Sequence, residues 1–371
     1  MLDFDPDSGL LTCEAGVLLS EIIETFLPRG WFLKVTPGTK LITVGGAIAA
    51  DVHGKNHHVD GCFGDMVRNL TLMLSDGRIV HCSREQNQEL FQATCGGMGL
   101  TGIIQQASFY LQPVPSTVIE QGTIKTGSLE ETFHAFEKYA DWPYSVAWID
   151  CLAPQKSLGR SLLMVGRFAP IGAHTYTPRK TKTVPCNFPG FVLNSFSVRT
   201  FNALYYAKNR SRISLSFADV DSFFYPLDAI NNWNRIYGRK GFIQYQFILP
   251  RTHSYAGLEK ILRKISQSGM GSFLAVLKLH GPGNDNLLSF PLEGYSLALD
   301  FKVQPGLFAL LNKLDSIVLQ HRGRIYLAKD ARMSRETFEQ GYPQAEKFRS
   351  LRSSLGLKGT FNSLQSQRLG L

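Results

Sequence analysis

The chain has 371 residues, more than one ordinary hydrophobic core needs, so two domains are expected. Hydrophobic residues make up 44% and charged residues 19%, which excludes a disordered chain. The net charge of +9 favours anionic ligands, but Lys and Arg are scattered and no DNA- or RNA-binding module is recognisable, so we predict no nucleic-acid partner.

Cysteine usage and hydropathy bear on the compartment. The six cysteines form no C-x-x-C pair and no disulfide framework, which predicts buried thiols in a reducing compartment. No apolar run reaches the roughly 18–20 residues of a membrane span, and the acidic N-terminus lacks a signal-peptide core. We therefore predict a cytoplasmic protein, with peripheral contact to a membrane left open.

The N-terminal third alternates strand and helix patterns. Residues 10–14 and 31–35 predict strands, and apolar spacing over 16–27 predicts a helix between them. Residues 67–74 and 78–82 predict a hairpin across Ser75-Asp76-Gly77, and 83–94 predicts a helix capped by Ser83. The Pro-rich segment 113–116 is the best candidate linker.

Beyond the linker, helical patterns (128–139, 196–208, 255–267, 306–321) alternate with strand patterns (145–151, 161–167, 241–249, 272–280, 295–302). This mixture predicts an antiparallel sheet covered by helices, so the fold class is α+β. Residues 168–190 predict a mobile loop. Residues 334–355 predict one basic helix.

Three stretches carry chemical interest. In V-T-P-G-T-K-L-I-T-V-G-G-A-I-A-A-D-V-H-G-K-N-H-H (35–58), glycines permit close backbone approach to a ligand, although a packed turn explains them equally well. A second glycine cluster, residues 96–102, allows the same two interpretations. In G-R-I-Y-L-A-K-D-A-R (323–332), an apolar strand carries Lys329, whose burial is costly unless the side chain is paired or reaches solvent.

Taken together, P-G-T-x-x-x-T-V-G-G-A-I-A-x-D-x-H-G-K-N-H-H, G-G-x-G-L-T-G-I-I, Q-Y-Q-F, K-L-x-G-P-G-N, L-S-F-P and Y-L-A-K-D-x-R occur in this order. The set resembles the decaprenylphosphoryl-β-D-ribose 2′-oxidase family, a branch of the vanillyl-alcohol-oxidase type flavoproteins. The resemblance implies an FAD domain (1–115), a substrate domain (116–322) and a C-terminal return to the FAD domain (323–371). It also implies non-covalent FAD, which would oxidise the 2′-hydroxyl of a polyprenyl-phosphoryl ribose as the first half of an epimerisation for cell-wall arabinan synthesis.

The resemblance assigns residues to each ligand. The flavin side would comprise Gly38, Thr39, Thr43, Gly45, Gly46, Ala49, His53, Gly54, Ile103, Tyr326 and Ala328. The substrate side would comprise Lys55, Gln244, Gln246, Lys278, Ser296 and Lys329, together with His53. A short-chain reductase would complete the epimerisation, and oxygen or a quinone would accept the electrons.

The residue chemistry suggests a division of labour. Alcohol oxidation needs removal of the hydroxyl proton. Lys329 is the candidate either to act as the base or to polarise the oxygen, with His53 or Tyr326 relaying or orienting the proton. Lys55 and Lys278 would offset the charge of a phosphate or of reduced flavin.

The sequence departs from the family pattern in three places. A glycine-rich upstream segment that wraps the FAD diphosphate has no counterpart here, which predicts a partly exposed ADP half, a truncated reading frame or weakened FAD binding. Ala298 stands where many relatives have cysteine. His280 replaces an aromatic or apolar residue, which predicts an altered sugar or lipid preference.

Other hypotheses are an aldonolactone or sugar-alcohol oxidase of the same superfamily and a cofactor-poor binding subunit. A zinc site at His53, His57 and His58 lacks an acidic or thiol partner at ligand spacing, so we predict no metal.

Overall fold

The computed structural model describes all 371 residues and contains two antiparallel sheets. The first sheet draws its strands from residues 3–113 and has the order β1-β2-β6-β4-β5, with β3 paired to β6. These strands are β1 Asp3–Asp5, β2 Leu10–Glu14, β3 Trp31–Leu33, β4 Val67–Met73, β5 Ile79–Ser83 and β6 Ile103–Pro113. The predicted hairpin over residues 67–82 is confirmed by the pairing of β4 with β5.

The second sheet has eight strands in the order β11-β7-β9-β8-β14-β15-β13-β16, and β10 and β12 form a separate short parallel pair. The strands are β7 Val118–Thr126, β8 Tyr144–Ile149, β9 Ser161–Phe168, β10 Lys182–Thr183, β11 Ile213–Asp219, β12 Ile230–Asn231, β13 Phe242–Pro250, β14 Ala275–His280, β15 Gly294–Lys302 and β16 Arg324–Ile325. With the helices added, the α+β class is confirmed.

Thirteen α-helices accompany the sheets, and none combines the length and apolar character needed to cross a bilayer. They are α1 Leu19–Phe26, α2 Val44–Ala49, α3 His57–Asp60, α4 Phe63–Met66, α5 Gln88–Thr94, α6 Leu129–Lys138, α7 Ser195–Lys208, α8 Val220–Phe224, α9 Arg251–Ser268, α10 Leu307–Gln320, α11 Arg335–Gly341, α12 Ala345–Ser354 and α13 Leu364–Leu369.

Strand register separates the two faces of the second sheet. Side chains alternate along a strand, so Tyr245, Phe247 and Leu249 of β13 share one face and pack with α9 and α10 into the larger core. The opposite face carries Gln244 and Gln246, and because Gln246 pairs with Ala298, it also carries Ser296 and Asp300 of β15. Lys278 pairs with Ser296, which places Lys278 and His280 of β14 on the same polar face.

The C-terminal segment packs between the two cores. Phe348 of α12 belongs to the core of the second sheet, whereas Leu357 belongs to the core of the first. The Arg352 side chain, fully buried, donates to the carbonyl of Leu100 at 2.9 Å. This hydrogen bond connects helix α12 to the second glycine cluster, residues 96–102.

Four sequence expectations need correction. The strand predicted within residues 323–332 is confirmed only at its start: β16 spans Arg324–Ile325, and residues 327–329 form one 3₁₀ turn. The predicted helix 334–355 is broken into α11 and α12 at Tyr342, because the residue before Pro343 avoids the helical region. Helix α5 begins at Gln88, since the Ser83 hydroxyl instead accepts from the Glu85 and Gln86 amides. Cys186 is exposed, although the other five cysteines are buried thiols as predicted.

Candidate active site

His53 lies opposite the polar face of the second sheet. Its segment follows α2, and its imidazole is only 4% exposed. The Gln246 amide nitrogen lies 3.0 Å from His53 Nε2 and donates to it, which leaves the proton of the neutral ring on Nδ1. That Nδ1 has no partner in the chain. A buried polar atom of this kind calls for a ligand or water.

Tyr326 joins the C-terminal segment to the same place. Its amide donates to the carbonyl of Gln246 at 2.9 Å, and its hydroxyl donates to the carbonyl of Ala50 at 3.1 Å. The ring lies 5.3 Å from the His53 ring and 4.5 Å from that of Phe290. The three chain regions that the sequence assigned to one site therefore meet.

Three imidazoles form a buried cluster that the sequence did not predict. The His280 ring lies 5.0 Å from the His53 ring and 4.6 Å from the His57 ring. Nε2 of His280 is 2.7 Å from the Ser296 hydroxyl, whereas its Nδ1 and both nitrogens of His57 have no partner. Burial, with nearby cations, lowers the pKa of His57 to about 3 and holds those of His53 and His280 well below their usual value. All three rings are therefore neutral at pH 7.

Three lysines without an ion-pair partner lie in this region: Lys278 and Lys329 are neighbours of His53, and Lys55 is a neighbour of Lys278. Burial lowers the pKa of Lys55 to about 8, and burial together with Lys55 and Lys329 lowers that of Lys278 to about 7. The Lys55 ammonium donates to the carbonyl of Phe224 at 3.0 Å. Asp300 is the one carboxylate that acts on these lysines, so positive charge is in excess and the region suits an anionic ligand.

Lys329 has one acidic neighbour. Burial lowers the pKa of Lys329, while Asp300 acts in the opposite direction. Burial also raises the pKa of Asp300 to about 6, opposed by Lys329 and by the Gln244 amide, which donates to Asp300 at 3.2 Å. Lys329 is thus more easily deprotonated than a surface lysine, as a catalytic base requires.

A buried carboxylate, Asp51, fixes the His53 segment, and sequence reasoning missed it. Asp51 is fully buried and accepts hydrogen bonds from Asn284, Asn286 and Ser289 at 2.7–2.9 Å and from the Gly64 amide at 2.9 Å. Its φ of +40° is unusual for a non-glycine residue. The sequence did contain signals for this contact: the Asp of the D-x-H motif and the Asn residues after G-P-G. These residues are far apart in the chain, so no local sequence pattern shows that they meet.

The glycines of residues 35–58 divide into two groups. A Cβ on Gly54 would lie 2.8 Å from the Thr36 carbonyl oxygen, and one on Gly45 would lie 3.0 Å from the Ala15 Cβ, so packing explains both. A Cβ on Gly38 would meet nothing within 4 Å, and one on Gly46 would meet only the Thr43 hydroxyl, which caps α2. The backbone is therefore open to a ligand at Gly38 and Gly46.

The remaining predicted residues lie at the edges of this region. Thr39 is partly exposed on the loop before α2, and Ala49 lies at the end of α2, where its carbonyl accepts from the Met98 amide. Ile103 is 51% exposed at the start of β6, and Ala328 is exposed in the 3₁₀ turn. Ile103 therefore lies at the protein surface, outside the buried contacts that join His53 and Tyr326.

Comparison with known proteins identifies the family to which the chain belongs. A model described as an FAD-binding domain matches residues 1–83. The decaprenylphosphoryl-β-D-ribose oxidase of Mycolicibacterium smegmatis is 38% identical over 98% of this chain and 82% of that protein. The chain belongs to the decaprenylphosphoryl-β-D-ribose oxidase family. It is an FAD-dependent oxidoreductase.

Two other relatives differ in how much of the chain they match. An uncharacterised protein from the mprA 5′ region of Streptomyces coelicolor is 28% identical over 96% of this chain and all of that protein. The L-gulonolactone oxidase of Mus musculus is 33% identical, but over only 31% of this chain and 26% of its own length. The similarity to the decaprenylphosphoryl-β-D-ribose oxidase thus covers nearly the whole chain, whereas the similarity to the lactone oxidase covers less than a third of it.

The site fits the FAD of the decaprenylphosphoryl-β-D-ribose oxidase family. Open backbone at Gly38 and Gly46, the free amides of Gly38 and Thr39, and the unpartnered Nδ1 of His53 offer donors to a polar ring system. Lys278 and Lys329 add positive charge next to His53, which suits a cofactor that becomes anionic on reduction. No group of three or more His, Cys, Asp or Glu residues is placed to hold a metal ion.

Proposed function

We propose that the enzyme oxidises the 2′-hydroxyl of a polyprenyl-phosphoryl-β-D-ribose to the 2′-ketone. The observation that carries this proposal is the group of unpaired lysines around three neutral imidazoles, on a sheet face that also presents Gln244 and Gln246. Lysines suit a phosphate, whereas amides and neutral imidazoles suit sugar hydroxyls. The name of the Mycolicibacterium relative supports the same substrate class.

Bound FAD supplies the hydride acceptor. The carbon that loses hydride must also lose its hydroxyl proton, and neutral Lys329 accepts that proton at Nζ. Asp300 then stabilises the resulting ammonium, because its carboxylate is the acidic neighbour of Lys329. The two steps convert one C–H and one O–H bond into a carbonyl, with the proton retained by the protein.

His53 orients the alcohol in this proposal. Because Gln246 donates to Nε2, the ring presents Nδ1–H as a donor and not as a base. That donor can hold the alcohol oxygen while Lys329 takes the proton. Tyr326 positions His53 through ring contact and through its bond to Ala50. Burial raises the pKa of the Tyr326 phenol well above its usual value, so the phenol stays protonated.

Lys278 and Lys55 hold the phosphate. Lys278 lies directly across from Ser296 in the strand pairing, so phosphate binding and sugar contact occur on adjacent strands. His280 and Ser296 form a hydrogen-bonded pair at that point, and we expect this pair to select among sugar hydroxyl configurations. Ala298, which pairs with Gln246, presents no thiol on this sheet face.

We further propose that a short-chain reductase converts the ketone to the arabinose epimer and that oxygen or a quinone reoxidises the enzyme. A reductase is needed because epimerisation requires the ketone to be reduced again. An electron acceptor is needed because each turnover leaves two electrons on the cofactor.

The experiment is anaerobic mixing of the FAD-loaded enzyme with a polyprenyl-phosphoryl ribose, with loss of oxidised-flavin absorbance as the readout. L-Gulonolactone in a parallel reaction tests the second candidate, which the partial similarity to a gulonolactone oxidase favours. Reduction by the phosphoryl ribose alone supports the proposal. Reduction by the lactone alone would overturn it.

A further inference from the structure

One surface segment of the chain, residues 191–217, exposes an unusual amount of apolar area. This segment comprises α7, the turn before it and most of β11, and we call it the 191–217 surface. Phe191 and Phe196 are each 77% exposed, and Leu204 is 67% exposed. Seven of the chain's seventeen exposed large hydrophobic residues lie here: Phe191, Phe196, Phe201, Leu204, Ile213, Leu215 and Phe217. A patch of this kind on a folded domain marks a contact surface.

Helix α7 exposes an apolar stripe on the side opposite to its buried face. Phe196, Thr200, Ala203, Leu204 and Ala207 follow the i, i+4, i+7, i+8, i+11 pattern and are all exposed. The buried face carries Val198 and the polar Asn202, which donates to Asp150 at 2.8 Å. The apolar stripe therefore faces away from the protein's own core, and Asn202 fixes that orientation.

Charge is distributed very unevenly around the 191–217 surface. Residues 151–218 contain ten Lys and Arg residues and no Asp or Glu, so this stretch carries more than the whole net charge of +9. Arg212 reaches Glu131 at 3.5 Å, but Arg199, Lys208 and Arg210 have no acidic partner within 4.0 Å. The exposed apolar stripe is thus flanked by unneutralised cations.

We propose that the 191–217 surface docks on an anionic lipid bilayer, with Phe196 and Leu204 entering the headgroup region. An exposed apolar stripe bordered by Lys and Arg is the pattern of an interfacial helix. A second copy of this chain fits less well, because it would bring two acid-free basic surfaces together. Strand β11 pairs only with β7, so its free edge is where such a copy would add.

The docking surface is connected to the active site. Tyr205 of α7 packs 4.8 Å from Trp148, which is paired with Val276 and so lies on the same sheet face as Lys278. A cavity of about 330 Å³ lies between α7 and that face, lined by Val198 and Phe273 and also by Asp300. Docking would bring this cavity toward the bilayer that holds a polyprenyl substrate; this consequence, unlike the docking itself, rests on the proposed function.

The test is flotation of the FAD-loaded enzyme with phosphatidylglycerol–phosphatidylcholine vesicles and with pure phosphatidylcholine vesicles, at low and high salt. We expect Phe196→Ser/Leu204→Ser to lower partitioning on the order of ten- to a hundredfold. Lys208→Glu/Arg210→Glu should lower it about tenfold or more, only on anionic vesicles and mainly at low salt. Leu364→Ser, which alters an 85% exposed leucine on α13, is the matched control and should change little.

Flavin absorbance and melting temperature show whether each variant is folded, and neither needs the sugar substrate. Failure of the oxidation assay with normal flotation would therefore affect the proposed function alone. Absence of vesicle binding by the wild type, or equal binding by both double variants and Leu364→Ser, overturns the docking proposal. The proposal is also overturned if Phe196→Ser/Leu204→Ser leaves flotation unchanged but dissociates a dimer or abolishes binding of an acidic protein.

Discussion

Replacing Lys329 by alanine tests the base directly. The side chain is partly buried, and its lowered pKa makes neutral amine available for proton abstraction. A positioned general base contributes about 10²–10⁴ in rate, or about 3–5 kcal/mol of barrier. We expect Lys329→Ala to lower the limiting rate of flavin reduction by that factor. Lys329→Arg should not rescue it, because the guanidinium keeps its proton.

The assay is anaerobic single-turnover mixing over a range of substrate concentrations, which separates the limiting rate from substrate affinity. Lys278→Met is the matched control, since it also removes a buried lysine side chain but from the phosphate side. It should weaken binding more than it slows the limiting rate. A limiting rate for Lys329→Ala within about threefold of wild type would refute the reasoning, given the size expected of a base.

Further predictions concern pH and packing. Lys278 and Lys55 must be protonated to hold a phosphate, and their pKa values are about 7 and 8. We therefore expect kcat/KM for phosphoryl sugars to fall as pH rises through 7–8. The limiting rate of flavin reduction should instead rise with pH, because Lys329 loses its proton. The unfolded chain binds the Lys278 proton more tightly than the folded chain, so Lys278 lowers the free energy of unfolding. This destabilisation is complete below about pH 7 and disappears as the pH rises toward the ordinary lysine pKa. Lys278→Met should therefore add about 2–4 kcal/mol to the free energy of unfolding at pH 6 and less at pH 9, as measured by denaturation at both pH values. Gly54→Ala should destabilise by about 1–3 kcal/mol because its Cβ would strike the Thr36 carbonyl, whereas Gly38→Ala should leave the melting temperature unchanged and weaken FAD binding in a fluorescence titration. Asp51→Asn should cost about 2–5 kcal/mol in a denaturant titration, because it turns an acceptor of four hydrogen bonds into a partial donor; a change below about 1 kcal/mol would contradict that role.

Local patterns in the sequence predicted much of the fold. Alternation such as Gln244-Tyr245-Gln246-Phe247 predicts a strand with one polar face, and β13 has that geometry. Helical spacing likewise predicted α6, α7 and α10 to within a residue or so. The prediction failed at residues 326–329, where apolar residues form a 3₁₀ turn because Tyr326 bonds to Gln246 and Ala50.

The candidate site was predicted less completely, because its central contacts join distant parts of the chain. Asp51 is bound by residues 233 to 238 positions further along, and no local pattern reports such a pairing. The His280–Ser296 bond and the imidazole cluster depend on strand register in the same way. Motif resemblance supplied His53, Gln246, Lys278 and Lys329 as separate positions, and the fold supplied their arrangement.

The most direct measurement is an isotope effect on flavin reduction with a polyprenyl-phosphoryl ribose deuterated at C2′. Hydride loss from C2′ predicts a primary effect on the limiting rate, and the same substrate deuterated at C3′ should show none. A primary effect at C3′, or no reduction of a protein that has bound FAD, would contradict the central claim.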